Sequence, residues 1–232
     1  MRWGDLDSLN HVNNVAYVDY AAEGRAAMVD AGLLADEWGA RRMTVKFVRP
    51  LQLTRRPVTV ASTLDGDVLT QLICVGKGDD RVVYSEVVSD AGSGVGGLTA
   101  RADVAGLPLR ARRRDVGASG VVDASTTFEL FQEGRILFVS SAIESLPSGT
   151  FVVGTTTVDF VEPITWRVAP YEVRSHVSTV GTASFGLMAD LVDGDTVLAR
   201  AETVLVGFDV DAQSSRRFSD EERAELLSRV VT

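Results

Sequence analysis

Two local signatures each occur twice in this chain, in the same order. Glu23-Gly24-Arg25 returns as Glu133-Gly134-Arg135, and Phe47-Val48-Arg49-Pro50 returns as Phe160-Val161-Glu162-Pro163. The signatures are 24 residues apart in the first copy and 27 in the second, a difference that a small insertion accommodates. Repetition on this scale indicates one supersecondary unit used twice, and the 232 residues suffice for two small domains.

Each copy reads as a long helix followed by strands. Residues 12–33 place Val15, Val18, Ala22, Ala26, Val29 and Leu33 at steps of three or four, which predicts an amphipathic helix. Asn13 and Asn14 stand where a helix cap is wanted, and Gly32 suits its end. Strand-like runs follow at 43–48, 57–64, 68–75 and 81–89, with Asp65-Gly66-Asp67 and Gly78-Asp79-Asp80 as turns between them. The second half repeats the order, with a helix over 128–143 and strands over 155–161, 171–180, 183–191 and 196–206. A glycine inside a helix costs about 1 kcal/mol against alanine, so Gly24 and Gly134 predict a close approach of each helix to its sheet.

The expected division is therefore 1–100, a linker over 101–120 holding Arg110-Ala111-Arg112-Arg113-Arg114, and 121–232. Ser219-Asp220-Glu221-Glu222 predicts a short terminal helix, having a capping serine and an acidic first turn. One helix covers one face of an antiparallel sheet, which makes the fold class α+β.

Composition narrows the function classes. There are 32 acidic and 23 basic side chains, a net charge of -9, which argues against nucleic acid as the main partner. No apolar run is long enough to predict a membrane span. With only His11, His176 and Cys74 among the soft ligands, no metal site is expected, and the lone cysteine makes a cytoplasmic location the expectation. Gly92, Gly94 and Gly97 match a dinucleotide fingerprint formally, but Gly106 and Pro108 follow where a helix would be required, so the stretch reads as linker.

The densest polar cluster runs from Arg2 to Asn14, just before the first helix. A helix start offers unpaired N–H groups and a positive dipole end. Asp7 beside such a start is a workable hydrolytic geometry: the amides hold an oxyanion while the carboxylate attacks, or deprotonates water. The plain alternative is that these residues only cap the helix.

Asp5-Leu6-Asp7-Ser8-Leu9-Asn10-His11-Val12-Asn13-Asn14, followed by Tyr17, Tyr20, Glu23 and Arg25, resembles the signature of the hotdog-fold acyl-CoA thioesterases, in the 4-hydroxybenzoyl-CoA thioesterase-like branch. The resemblance implies a double hotdog: two copies of a long helix wrapped by a curved antiparallel β-sheet, the second copy degenerate. It implies hydrolysis of an acyl-CoA or acyl-ACP thioester, within fatty-acid metabolism, without cofactor or metal. Asp7 matches the family's nucleophile or general base, Asn14 the helix-start amide that polarises the carbonyl, and His11 a histidine with a catalytic part in the similar plant acyl-ACP enzymes. Asn13 and Tyr17 are the expected substrate contacts. Leu9 stands where the plant enzymes hold an asparagine, and Asn10 where the family has glycine, a place asparagine tolerates. Aligning the Glu-Gly-Arg signatures sets Gly117 opposite Asp7 and Ala124 opposite Asn14, so one working site per chain is expected. Two other readings share these residues: a hotdog enoyl-thioester hydratase, whose Asp and His lie five apart rather than four, and a non-catalytic acyl-CoA sensor. Arg55, Arg56 and the Arg110–Arg114 cluster are candidates for holding coenzyme A phosphates, or solvated loops. Homo-oligomerisation is left open, and a start so close to the motif raises the expectation of a truncated N-terminus.

Overall fold

The structure is a computed structural model, which describes all residues except 8, 9, 77, 93–95, 118, 148 and 232. The chain divides into two compact units, Met1–Gly94 and Val95–Thr232.

In the first unit, helix α1 (Asn14–Asp30) precedes strands β1 (Arg42–Phe47), β2 (Val58–Asp65), β3 (Val68–Val75) and β4 (Val82–Asp90). They pair antiparallel in the order β2-β3-β4-β1. Asp65 and Val68 face each other across a two-residue turn whose Gly66 has φ +57°, a value that suits glycine. The α1 residues buried against the unit are Val15, Ala16, Tyr17, Val18 and Ala21. That set is phased differently from the expected stripe, whose Ala26 and Leu33 are exposed. The line set by Tyr17, Ala21 and Gly24 accounts for the difference. A Cβ on Gly24 would lie 2.8 Å from Val60 Cγ1 and from Gln71 Nε2, so the helix touches the sheet where it has no side chain. Gln71, fully buried, donates to the Ala21 carbonyl at 2.9 Å and fastens the helix there. Gly32, at φ +68°, ends the helix in the left-handed conformation.

The second unit repeats the plan. It holds β5 (Gly106–Leu109), α2 (Ala124–Ala142), β6 (Phe151–Phe160), β7 (Tyr171–Val180), β8 (Ser184–Asp193), β9 (Thr196–Asp209), β10 (Ser214–Ser215) and α3 (Asp220–Ser228). Its antiparallel sheet runs β6-β9-β8-β7-β5, with β10 on β9. The stretch read as a linker thus contributes β5 and a 3-10 turn at Arg113–Asp115. A Cβ on Gly134 would meet Val173 Cγ1 at 2.8 Å, the same close approach as at Gly24. Helix α2 begins four residues before its apolar run because Asp123 caps it, its Oδ1 accepting the Thr126 N–H at 2.7 Å. One hydrophobic cluster joins Val139 of α2 and Ile143 at its C-cap to Val177, Phe185, Leu187 and Leu205 of the sheet and to Phe218 and Leu226 near the C-terminus. The last helix is held by a capping box between Ser219 and Glu222, with Arg216 forked onto the Glu222 carboxylate at 2.6 and 2.8 Å. Glu225 accepts the N–H groups of Glu144 and Ser145, both at 2.9 Å, which ties α3 to the end of α2.

Candidate active site

The segment before α1 is organised by main-chain bonds. A 3-10 turn spans Trp3–Asp5, and the Asp5 carboxylate accepts the Arg2 N–H at 2.5 Å and the Tyr20 hydroxyl at 2.7 Å. Leu6 and Val12 then pair as an antiparallel bridge. Between them the Asp7 N–H donates to the His11 carbonyl at 2.7 Å, and the Asn10 N–H to the Asp7 carbonyl at 3.1 Å. Asn10 closes the loop at φ +58°, where the family pattern has glycine and where asparagine is among the few other residues that sit well.

The Asp7 side chain acts inside this frame. Its Oδ1 accepts the His11 N–H at 3.0 Å. The backbone N–H of His11 is thus one group that orients the carboxylate. His11 also pairs with Gln52, and the Val12 N–H donates to Leu51 at 2.7 Å, so residues 51–52 run alongside the loop.

Asn13 caps α1. Its Oδ1 accepts the Val15 N–H at 3.0 Å, its carbonyl accepts the Ala16 N–H at 3.0 Å, and its own N–H donates to Asp5 at 2.7 Å. The first helical residue is Asn14, and its N–H makes no hydrogen bond to another described residue. That leaves an amide at the positive end of the helix, the group an oxyanion requires.

Tyr17 is buried beneath this segment at 3% exposure, with its ring edge-on to Phe47 at 5.5 Å. Burial raises its hydroxyl well above the ordinary value; a hydrogen bond from the Leu51 backbone opposes this, while the nearby Tyr84 and Asp7 charges add to it. The structure thus brings Asp7, His11 and Asn14 together at one loop–helix junction, uses Asn13 as the cap, and sets Tyr17 in the core underneath. Leu9, read as replacing the plant asparagine, lies outside the described residues, as does Gly94 of the glycine-rich stretch.

The second unit rebuilds the same backbone frame with different side chains. Among the described residues, the bonds of 112–123 follow those of 2–13 with a constant offset. The Arg112 N–H donates to Asp115 at 2.6 Å, Val116 bridges Val122, the Gly120 N–H donates to Gly117 at 3.0 Å, and the Val122 N–H donates to Ile164 at 2.8 Å. Gly120, at φ +79°, takes the place of Asn10. Gly117 occupies the position of Asp7, Val121 that of His11, and Ala124 that of Asn14. This match in space has the register that the Glu-Gly-Arg signatures set in sequence.

His176 lies on β7, half-buried, its pKa lowered chiefly by burial and then by the Arg101 charge. Cys74 is fully buried on β3. Among the described residues no three His, Cys, Asp or Glu side chains cluster in a way that would hold a metal ion, and no helix is long and apolar enough to cross a membrane.

A family model described as the thioesterase-like superfamily matches residues 1–84 and 111–227. Among solved structures, the chain is similar to a candidate oleoyl thioesterase from Lactobacillus plantarum, at 10% identity over 90% of this chain and 94% of that one, TM-score 0.64. It is similar to an acyl-ACP thioesterase from Bacteroides thetaiotaomicron, at 10% identity over 87% and 93% of the two chains, TM-score 0.58. It is also similar to the 12:0-ACP thioesterase from Umbellularia californica, at 14% identity over 94% and 95%, TM-score 0.56. At these identities the likeness is one of fold, and it extends over both repeats: the architecture is an α+β double hotdog. No match was found among curated proteins.

Proposed function

The chain belongs to the thioesterase-like superfamily and is a thioester hydrolase, and from that premise we propose that it cleaves acyl-CoA to free CoA and a carboxylic acid at the Asp7–Asn14 junction. The observation that carries this reading is the contrast between the two copies of the loop. Gly117 replaces Asp7, and the frame closes all the same. A carboxylate at position 7 is therefore not needed to shape the loop, which leaves chemistry as the reason for it.

In this reading the thioester carbonyl oxygen lies against the Asn14 N–H at the head of α1, where the amide and the helix dipole stabilise the developing oxyanion. Asp7 takes a proton from water as the water attacks the carbonyl carbon, or attacks that carbon itself to give an anhydride that water then opens. The C–S bond breaks, and the thiolate leaves as the thiol. His11 contributes its main-chain N–H as one group that positions Asp7. Asn13 is a positioning residue as well, because its cap sets the first turn from which Asn14 presents its amide. Tyr17 supplies a wall of the acyl pocket.

The lone, buried Cys74 fits a cytoplasmic setting. Two of the structures with a similar fold are acyl-ACP thioesterases, so an acyl-ACP is the second carrier to assay. The test is thiol release from a panel of acyl-CoA and acyl-ACP substrates by native protein and by Asp7→Asn. Release by the native protein that falls steeply in the variant is expected; equal rates would remove Asp7 from the reaction. Loss of enoyl absorbance without thiol release would instead identify a hydratase, and tight acyl-CoA binding with no product a sensor.

A further inference from the structure

Between Glu37 and Asp65 the chain holds no carboxylate but six cations, Arg41, Arg42, Lys46, Arg49, Arg55 and Arg56, a local excess in a chain of net charge -9. Three of the six have acidic neighbours: Arg41 and Arg42 stand at the end of β1 that meets Asp90, and Lys46 lies opposite Glu86. The other three, Arg49, Arg55 and Arg56, are exposed on the segment that joins β1 to β2. Among the described residues they form no ion pair. The β3–β4 connection at the same end of the sheet adds no net charge, because Asp79 and Asp80 offset Lys77 and Arg81 in its sequence.

The arginine segment runs beside the candidate site. His11 pairs with Gln52 and the Val12 N–H donates to Leu51 at 2.7 Å, so Arg49 precedes the pairing and Arg55 and Arg56 follow it. The Arg56 N–H donates to Thr54 Oγ1 at 3.1 Å, which fixes the bend before β2. Strands β1 and β2 stand three strand spacings apart, about 14 Å along the sheet, too far for one phosphate or diphosphate group to reach both ends. Two large apolar side chains of this region face solvent, Trp3 at 82% exposure and Leu53 at 56%.

The second repeat has the same main chain without these charges. Its Val161 and Glu162 N–H groups donate to Leu198 as those of Val48 and Arg49 donate to Tyr84, and the Val122–Ile164 bond repeats the Val12–Leu51 bond. In that register Glu162 replaces Arg49, Val168 replaces Arg55 and Ala169 replaces Arg56. The positions of Trp3 and Leu53 are held by Arg113 and Trp166, which stack on each other at 3.7 Å. The fold therefore forms without the three arginines and with that corner closed on itself. It is the repeat carrying Asp7 that keeps a cationic segment and an exposed tryptophan.

We propose that Arg49, Arg55 and Arg56, with Trp3 and Leu53, form the docking surface for a small acidic carrier protein that presents its acyl thioester to Asp7. The proposal rests on the reading of the Asp7–Asn14 junction as the hydrolytic site, and it names the partner of that site. An acidic partner is repelled by most of an acidic chain and is drawn to this face, which orients it toward the reacting group. An aromatic anchor with arginine around it is the composition of a protein interface. Three cations and one tryptophan are too few for stable adsorption to an anionic membrane, which takes a polybasic run or a lipid anchor.

The experiment uses the full chain in three forms: native, Arg49→Glu with Arg55→Glu and Arg56→Glu, and Trp3→Ala. Binding is measured by calorimetry with an acyl carrier protein whose acyl group is joined through an amide in place of the thioester. Turnover is measured with one acyl group on the carrier protein and on CoA. The native chain should bind the carrier, more weakly as salt rises. The glutamate variant should bind about tenfold more weakly or worse and lose as much kcat/KM on the carrier-borne thioester, with acyl-CoA turnover changed less than about threefold. Trp3→Ala should weaken carrier binding as well, and unchanged melting temperatures show that both variants fold. No carrier binding by the native chain, binding untouched by charge reversal, or equal losses on the two substrates overturns the proposal. Phosphatidylglycerol vesicles that bind the native chain where the carrier does not would give the surface to lipid instead. The hydrolase reading fails separately, through a chain that binds the carrier by these arginines yet releases thiol from neither substrate.

Discussion

The carboxylate of Asp7 is held by the backbone N–H of His11 at 3.0 Å, within a loop that the second repeat closes with Gly117 and Val121 at the same positions. Asparagine in place of Asp7 keeps an oxygen to accept that N–H and loses the charge and the basicity, its second oxygen becoming an amide donor. Asp7→Asn is therefore expected to lower kcat/KM for thiol release by about 10²–10⁴, the range that general-base catalysis spans. Its melting temperature should stay within about one degree of the native value. His11→Ala keeps the backbone donor and should lose far less activity. A variant pair in which His11→Ala is the more damaging would transfer the main role from carboxylate to imidazole.

The left-handed backbone at Asn10 (φ +58°) makes a second test of the same loop. Asn10→Gly relieves whatever strain remains, and the second repeat already uses Gly120 at φ +79° there. Activity and stability should both be preserved. Asn10→Val forces a β-branched residue into that conformation at a cost of about 1–3 kcal/mol. Because the loop carries Asp7, activity should fall with stability, measured by urea denaturation beside the hydrolysis assay. Full activity in the valine variant would mean the loop geometry is irrelevant to the reaction.

Much of this architecture is legible in the sequence, and the parts that are not have definite causes. Strands bounded by strong turn chemistry come out at their true limits: Val68–Val75 after Asp-Gly-Asp, and Tyr171–Val180 after Pro170. The start of α2 does not, because its first turn, Ala124-Ser125-Thr126-Thr127, carries no large apolar side chain and reads as loop until Asp123 is recognised as its cap. The buried face of α1 is mis-phased because periodicity weighs Val29 and Leu33 as core, whereas contact with the sheet is governed by the residue that is missing a side chain, Gly24. At the site, Asp7, His11 and Asn14 are readable from one contiguous motif. The bonds that hold them are mostly between backbone groups, which leave no mark on residue identity. The Tyr20–Asp5 bond emerges only in the structure, because it joins two residues fifteen apart whose identities alone do not announce a contact.

The two helix glycines give a stability test with opposing terms. Alanine at Gly134 gains about 1 kcal/mol of helix propensity. Its Cβ, however, would sit 2.8 Å from Val173 Cγ1 and 3.3 Å from Val173 Cβ, and valine has little χ1 freedom with which to yield. Overpacking of this kind costs about 1–3 kcal/mol, so the net effect should be destabilising. Gly24→Ala meets Val60 in the same way and should behave alike. Urea unfolding of both variants checks this, and a more stable alanine variant would show that the helix can stand off the sheet without penalty.

Acid should weaken the fold in two stages. The His176 pKa is lowered in the folded chain, first by burial and then by the Arg101 charge, so the unfolded chain takes up a proton before the folded one does. Stability from this group is complete above the unfolded value of about 6.5 and declines as pH falls below it. Glu222 and Glu225 have lowered pKa values as well, Glu222 chiefly through Arg216 and Glu225 chiefly through the Ser145 hydroxyl. Their contribution is intact above about pH 4.5 and is lost as pH falls through their folded values. Melting temperature followed from pH 8 to pH 4 should therefore slope down first near neutrality and again below about 4.5. His176→Gln should flatten the first descent and Glu222→Gln the second, relative to the native curve at matched ionic strength. A native curve parallel to His176→Gln between about pH 5 and 7 would show that this histidine titrates alike in both states and that its lowered pKa has no consequence for folding.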